Sequence, residues 1–331
     1  MSIMPLDNRR DVLVGTAAAA DALGYDGFFL PEAWTYDVTV LLAEAAVRTR
    51  RIVLGTGIAS VWGRSAGTLA MAAATLASIS GGRFVLGLGA STPQLAEGLH
   101  DVPYVAPMKR LRGTITQVRA LLRGDRVPLM VATGARPLRL NVPAGPEVPI
   151  YLAALADASI GLAGELADGW IPFLYPRSRL ATGAAVLAEG IARSGDPARR
   201  VTVCPSVPAV VATDPAKARE GAAWFVAFYL TAMGPLYRQR LVQLGFGKEV
   251  EAVVAANTPK NQGLVPADAE VLLEELTVFG TPDEARRRLS AWYTAGAEFP
   301  SILLPPHLAP AEIEYMLDAF RPMLGAGSVG A

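Results

Sequence analysis

The chain is poor in the residues on which thiol, metal and Schiff-base chemistry depend. Cys204 is the only cysteine in 331 residues, so no intrachain disulfide can form. It sits in the strand-like VTVCPSV, where a cysteine reads as a small buried hydrophobe rather than a nucleophile. The two histidines, His100 and His307, lie far apart and have neither HxH spacing nor a companion cysteine, which argues against a histidine-built metal centre; no metal is expected. Lysine is as scarce: Lys109, Lys217, Lys248 and Lys260 all fall away from predicted strand ends, so an aldolase-type Schiff base is disfavoured. Neither sign of charge dominates, with 30 basic against 30 acidic residues, and no basic cluster is interleaved with aromatics. A nucleic-acid partner is therefore not expected. Long hydrophobic runs are missing too. Met1 to Arg10 contains no apolar leader stretch, and polar residues break the alanine-rich segments before a bilayer could be spanned, which predicts a soluble cytoplasmic protein with no membrane partner.

What is present is 52% hydrophobic residues and a recurrent alternation of apolar strand-like runs with helical periods. That alternation predicts a parallel sheet with crossover helices. The candidate strands are Ser2–Leu6, Gly27–Pro31, Ile52–Ile58, Arg83–Gly89, Pro149–Ala154, Gly169–Leu174, Val201–Val211 and Pro300–Pro305. Eight strands predict a single (β/α)8 TIM barrel spanning 1–331. The sharpest local feature is SGGRFVLGLGAS at 80–91: a buried strand opening into a glycine-rich loop whose free N–H groups suit an anion or a planar ring. Simple turn chemistry also explains such glycines.

Helix starts are marked by Ser65, Asp157, Asp214 before Pro215, and the capping box Thr281-Pro282-Asp283-Glu284. In the helix after Ser65, residues Leu69, Ala72, Ala73, Leu76 and Ile79 recur at helical spacing and predict one stripe laid on the barrel. Two stretches exceed a minimal barrel. Residues 125–148, with Thr133-Gly134 between apolar runs, predict a hairpin excursion. The segment 234–271, with Tyr237, Phe246 and the proline-broken NTPKNQGLVP, reads as a lid, a partner contact or a passive loop. The tail Gly325–Ala331 reads as frayed.

Taken together, GYDGFFLPEAW (24–34), RIVLGTGI (51–58), AGTLAMAAATLASISGGRFVLGLGAS (66–91), PIYLAAL (149–155) and LAGELADGW (162–170) resemble the bacterial-luciferase-like superfamily, and most of all its coenzyme F420-dependent oxidoreductases. The resemblance implies a barrel that binds FMN or F420 at its C-terminal mouth for hydride exchange or oxygen activation. It also implies a homodimer and, for the flavin branch, a separate reductase. Carried onto this sequence, it places Gly57 and Ile58 at a non-proline cis bond behind the cofactor ring and Ser60 near the ring's polar edge. Gly89, Ala90 and Ser91 would line the next strand end, and the backbone of Ala153, Ala154 and Leu155 would approach the cofactor's side chain. Arg177 and Arg179 would meet its phosphate, unless they are solvated residues of a helix start.

Glu32, just past Pro31 at the mouth of the second strand, is the candidate acid or substrate-polarising group, with a local salt bridge as the alternative. Trp34 either stacks on the ring or substrate, or simply packs. Trp62 and Arg64 follow the third strand on the same face and would frame the substrate; Asp37 would orient it or cap a helix, and His307 follows the last strand within reach of the mouth. Asp168 precedes its strand and belongs to the stability face. Two departures from the family stand out: Ala33 replaces a histidine common at the second strand end, and Ala156, Asp157 and Ala158 replace a Gly-Pro-Lys run. F420 and FMN both stay open, F420 slightly ahead. The functional readings are hydride transfer between F420 and a small organic substrate, an FMNH2/O2 monooxygenase, a cofactor-free small-molecule binder and a cofactor-free phosphosugar enzyme. Trp34, Trp62, Phe173 and Tyr175 near the mouth favour an aromatic or polyketide-like substrate over a sugar.

Overall fold

A computed structural model of the chain describes residues 1–132, 134–143 and 145–324. The tail read as frayed, and Thr133 of the expected hairpin turn, lie outside the described residues. The strands are β1 (Ser2–Ile3), β2 (Gly27–Leu30), β3 (Val53–Thr56), β4 (Ala59–Ser60), β5 (Phe84–Gly89), β6 (Ile150–Ala153), β7 (Gly169–Ile171), β8 (Thr202–Val203), β9 (Ser206–Val211), β10 (Val278–Gly280) and β11 (Ser301–Leu304). All pairings are parallel and run in the order β11-β1-β2-β3-β5-β6-β7-β8, while β9 pairs with β11. Since β8 and β9 are consecutive in the chain, these pairings close the ring of the predicted (β/α)8 barrel.

Several expected strands are shorter than the hydrophobic runs that announced them, and proline is the recurring reason. A proline has no N–H to give to a ladder. The first strand stops before Pro5, and the run 201–211 is split at Pro205, beyond which the Ser206 amide donates to the Pro172 carbonyl at 2.9 Å. The third strand ends at Thr56, the Gly57–Ile58 peptide that follows is cis, and the chain re-enters the sheet as β4, beside β5. β10 is an addition to the expected set. Its Val278 aligns with Ala209, so it pairs with the far half of β9 after the near half has closed the ring.

Aromatic rings fill the barrel interior where glycines make room. Phe29 stacks on Tyr151 at 6.4 Å and meets Phe299 edge-on at 6.2 Å. Gly55 lies directly against the Phe29 ring and Gly169 against the Tyr151 ring, so a side chain at either would collide with an aromatic core. The helices lay apolar stripes on the outside. On helix Ala66–Ser80 the buried stripe includes Leu69, Ala73 and Leu76, but Ile79 faces outward and Ala72 is only half-buried.

Caps form as expected at Ser65, whose hydroxyl accepts the Thr68 amide at 3.1 Å, and at Asp214, which accepts the Ala216 amide at 2.9 Å. Glu284 reaches back to the Thr281 amide at 2.8 Å. Asp157 differs. The helix begins one residue earlier, with Ala156 at the cap, so the Asp157 carboxylate sits in the first turn and pairs with Arg240 at 2.7 Å. The expected hairpin at 125–148 is also corrected: no strand occurs there among the described residues, and Val127 to Leu138 is a single backbone contact of 2.8 Å. Pro128, Pro137, Pro143 and Pro146 remove the donors that a ladder would need. The segment 234–271 is largely helical, with Leu236–Gln243 and Gly247–Ala256 as its two helices.

The N-terminal end of the barrel is tied by charged side chains that saturate backbone groups. Arg83 donates to the carbonyls of Ser80, Ile52, Ala46 and Thr49 and to the Thr49 hydroxyl, at 2.8 to 3.1 Å. Asp168 accepts the Ile150 amide at 2.8 Å and pairs with Arg119 at 2.8 Å, which places it on the stability face. Cys204 is buried, and burial pushes its thiol up to about 12. No helix among the described residues is long and apolar enough to cross a membrane.

Candidate active site

The C-terminal ends of the strands surround a cavity of about 380 Å³. Its floor is built from residues with almost no side chain: Gly57, Gly89, Ala90, Ala153 and Ala154, together with Ile58. A Cβ placed on Gly89 would lie 2.8 Å from the Ile58 side chain and 3.4 Å from the Ala153 Cβ, so glycine keeps this floor flat. A flat apolar floor with backbone exposed along its edge fits the face of a planar ring of the flavin or deazaflavin kind.

The wall beside the floor is stitched together by hydrogen bonds. The Gly57 amide donates to the Leu30 carbonyl at 2.7 Å and the Glu32 amide to the Ile58 carbonyl at 3.0 Å. One Glu32 carboxylate oxygen accepts the Ser60 amide at 2.8 Å, and the other is paired with the Arg64 guanidinium. Arg64 extends the network to Asp37 at 2.8 Å. The Glu32 and Arg64 side chains are 8% and 12% exposed, so this is a largely desolvated pair, whereas Asp37 is half-exposed. Burial works against the charge on Asp37, but hydrogen bonds from Thr39 and Arg64 prevail and hold its carboxyl below the usual range. Asp37 also caps helix Val38–Arg48 through the Thr39 amide at 2.8 Å.

The site residues read from the sequence divide into two groups. Glu32, Trp34, Gly57, Ile58, Gly89, Ala90, Ser91, Ala153, Ala154 and Leu155 all line the cavity, with Trp34 half-exposed at its rim. The others stand outside the lining. Ser60 is buried, and its hydroxyl accepts the Trp62 amide at 3.2 Å. Trp62 is buried behind the β5 loop, where its indole N–H donates to the Ala90 carbonyl at 2.7 Å and its ring packs on Tyr104 at 5.1 Å. It supports the wall from behind instead of framing the substrate. Arg64 and Asp37 act through Glu32 as described. Arg177 and Arg179 form a 3-10 turn whose central amide, from Ser178, donates to Glu275 at 2.8 Å. His307 is exposed; its backbone has φ +63°, and its amide donates to Asp7 at 2.9 Å.

The sequence reading gave no site role to part of the cavity lining, although it read the segment 234–271, Tyr237 included, as a lid, a partner contact or a passive loop. Phe228, Tyr229 and Met233 come from helix Pro215–Thr231 and the residues just after it, and Leu236 and Tyr237 come from the inserted helix. The aromatic density of WFVAFY at 224–229 was the available signal, although a helix crowded with aromatics reads first as core. Tyr175, expected at the mouth, is instead buried against Trp170 with ring centroids 5.5 Å apart.

Comparison with known proteins agrees with this geometry. The family model for luciferase-like monooxygenases matches residues 5–298. A Mycobacterium tuberculosis protein that goes under the name coenzyme F420-dependent oxidoreductase is 31% identical over 309 residues, covering 84% of this chain and 86% of the relative. Among solved structures, an F420-dependent secondary alcohol dehydrogenase in complex with an F420-acetone adduct superposes with a TM-score of 0.77 at 19% identity, over 99% of this chain and 98% of its own. The FMN-bound oxygenating constituent of 3,6-diketocamphane monooxygenase from Pseudomonas putida gives 0.70 at 18% identity, over 96% and 93%. With a family model matched along most of its length, a closed barrel and a flat-floored cavity at the mouth of that barrel, the chain belongs to the luciferase-like monooxygenase family and is an enzyme of that family.

Proposed function

We propose that this enzyme transfers hydride between coenzyme F420 and a neutral, apolar organic substrate. The observation that carries the substrate half is the charge of the lining: among the described residues only Glu32 is charged there, and both of its carboxylate oxygens already have partners. An anionic substrate would meet no counter-ion in this cavity, and leaving a buried charge unpaired costs several kcal/mol on the order of magnitude known for such groups. The F420 half rests on the Mycobacterium tuberculosis relative and on a floor that fits a planar ring.

When bound, F420 supplies a hydride donor or acceptor at its ring. The protein's share is positioning and exclusion of water. The floor of Gly57, Gly89 and Ala153 sets the plane of the ring, and Glu32, locked between Arg64 and the Ser60 amide, keeps the β3-end wall upright beside it. Glu32 in this arrangement is a positioning residue. Trp34 covers the open rim, and Phe228, Met233 and Leu236 extend the apolar lining that keeps water from the reacting atoms. Arg177 and Arg179, which stand outside the cavity lining, would supply charge for the cofactor's phosphate, and their replacement by glutamine tests that assignment by cofactor affinity.

Anaerobic fluorescence titrations with F420 and with FMN, each oxidised and reduced, test the proposal. Preferential F420 binding is expected. Preference for reduced FMN would move the enzyme to oxygen chemistry with a separate flavin reductase as partner, and binding of neither would refute the cofactor assignment.

A further inference from the structure

The roof of the cavity, formed by helix Pro215–Thr231 and helix Leu236–Gln243, carries two tyrosines. Tyr229 comes from helix Pro215–Thr231 and Tyr237 from helix Leu236–Gln243, and both line the cavity. Their rings meet edge to face at 5.3 Å and 87°. Phe173, just beyond the end of β7, holds both from below, with centroids 4.7 Å from Tyr229 and 5.6 Å from Tyr237, each in edge geometry. Three rings packed in this way have little freedom to turn, so the positions of the two hydroxyls are set by packing.

Neither hydroxyl has a hydrogen-bond partner among the described residues, and both stay accessible, although Tyr229 as a whole is only 4% exposed and Tyr237 is half-buried. The rest of the roof, Phe228, Met233 and Leu236, offers no acceptor stronger than the Met233 thioether. Burial pushes both phenols far above their usual range, so they are neutral O–H donors throughout the ordinary pH range. Packing alone would be served as well by phenylalanine. A ligand that fills the cavity takes water away from these donors, and an acceptor carried on that ligand removes the cost of leaving them unpaired.

We propose that Tyr229 and Tyr237 are the specificity-determining pair of this enzyme, their hydroxyls donating to a carbonyl or hydroxyl oxygen carried on an otherwise apolar substrate. The assignment rests on the functional reading above in taking this cavity as the substrate's place. It narrows the neutral substrate to one bearing an oxygen function, such as a ketone or an alcohol on a ring or branched chain. Hydrocarbons of the same shape are rejected because they leave two donors unpaired, and anions are rejected because the roof holds no cation.

The test uses acetophenone and ethylbenzene, which share a carbon skeleton and differ in the oxygen. Their affinities are measured by ligand-observed NMR titration on the wild type loaded with whichever cofactor it takes, and on Tyr229→Phe, Tyr237→Phe and the double variant. The wild type is expected to prefer the ketone by about 25-fold, each single variant to lose about fivefold of that preference, and the double variant to lose it entirely. Ethylbenzene affinity stays within about twofold throughout, which also shows that the roof has kept its shape. A wild-type preference under about twofold, binding of neither compound, or a preference that survives in the double variant overturns the assignment. Should the wild type take neither F420 nor FMN, the cofactor reading fails by itself, and the same ketone-to-hydrocarbon ratio on the cofactor-free protein still decides the role of the tyrosines.

Discussion

Replacing Arg64 with methionine isolates the energetics of the wall beside the cavity floor. Methionine keeps the aliphatic bulk of the side chain and removes the charge, so the Glu32 carboxylate is left 8% exposed with the Ser60 amide as its remaining partner. Breaking a buried pair in this way costs about 3–5 kcal/mol. The loss of stability in Arg64→Met is therefore expected to be about 3–5 kcal/mol at pH 7. Glu32→Gln/Arg64→Met removes the stranded charge and is expected to recover at least about 2 kcal/mol relative to Arg64→Met alone at pH 7. Urea unfolding of the wild type, Arg64→Met and the double variant measures all of these quantities. A penalty below about 1 kcal/mol, or a double variant no more stable than Arg64→Met, would show that Glu32 is well solvated and would refute its role as a locked strut.

Arg83→Met is expected to cost about 4 kcal/mol in urea unfolding, since it leaves the buried carbonyls of Ala46, Thr49, Ile52 and Ser80 without their donor; a loss under about 1 kcal/mol would contradict the saturation seen at the barrel base. Gly89→Val raises the cavity floor, and cofactor affinity is expected to fall at least about 100-fold in fluorescence titration while the fold survives; unchanged affinity would move the cofactor off this floor. At Asp7 burial opposes the charge, but hydrogen bonds from Arg9 and the His307 amide prevail and hold the carboxyl below its usual range. Its contribution is therefore complete above the unfolded value near ~4 and is lost as pH falls through the lower folded value. Asp7→Asn should be less stable than the wild type at pH 6 and converge with it on acidification, as read from urea midpoints across the acid limb; parallel curves would exclude the linkage.

The barrel was legible because its signals are local. Apolar runs such as FVLGLG and caps such as Ser65 depend on neighbours a few residues away. The cavity floor was legible for a related reason, since glycine and alanine at consecutive strand ends leave a mark in the sequence wherever those strands end. The sequence offered much less on partnerships between distant segments. Nothing in LPEAW says that Glu32 will find Arg64 and the Ser60 amide, and Trp62 reads the same whether it faces a substrate or supports a loop through the Ala90 carbonyl. Tyr229 and Tyr237 converge only because Phe173 stands between their helices and the barrel. β10 escaped notice because three residues, VFG, are too few to show a period, and their ladder partner lies more than sixty residues upstream.

That short strand has a consequence for how the enzyme can change. The polypeptide leaves the barrel at the end of β9 and returns beside that same strand at β10, so both ends of the intervening segment are anchored on one edge. Residues 212–277, which carry the two roof tyrosines, form a cassette held at both ends by one strand pair. Lengthening, shortening or exchanging that cassette alters what the cavity admits without shifting the register of any strand that holds the cofactor floor. Substrate range and the reacting platform can thereby evolve, or be engineered, independently of one another.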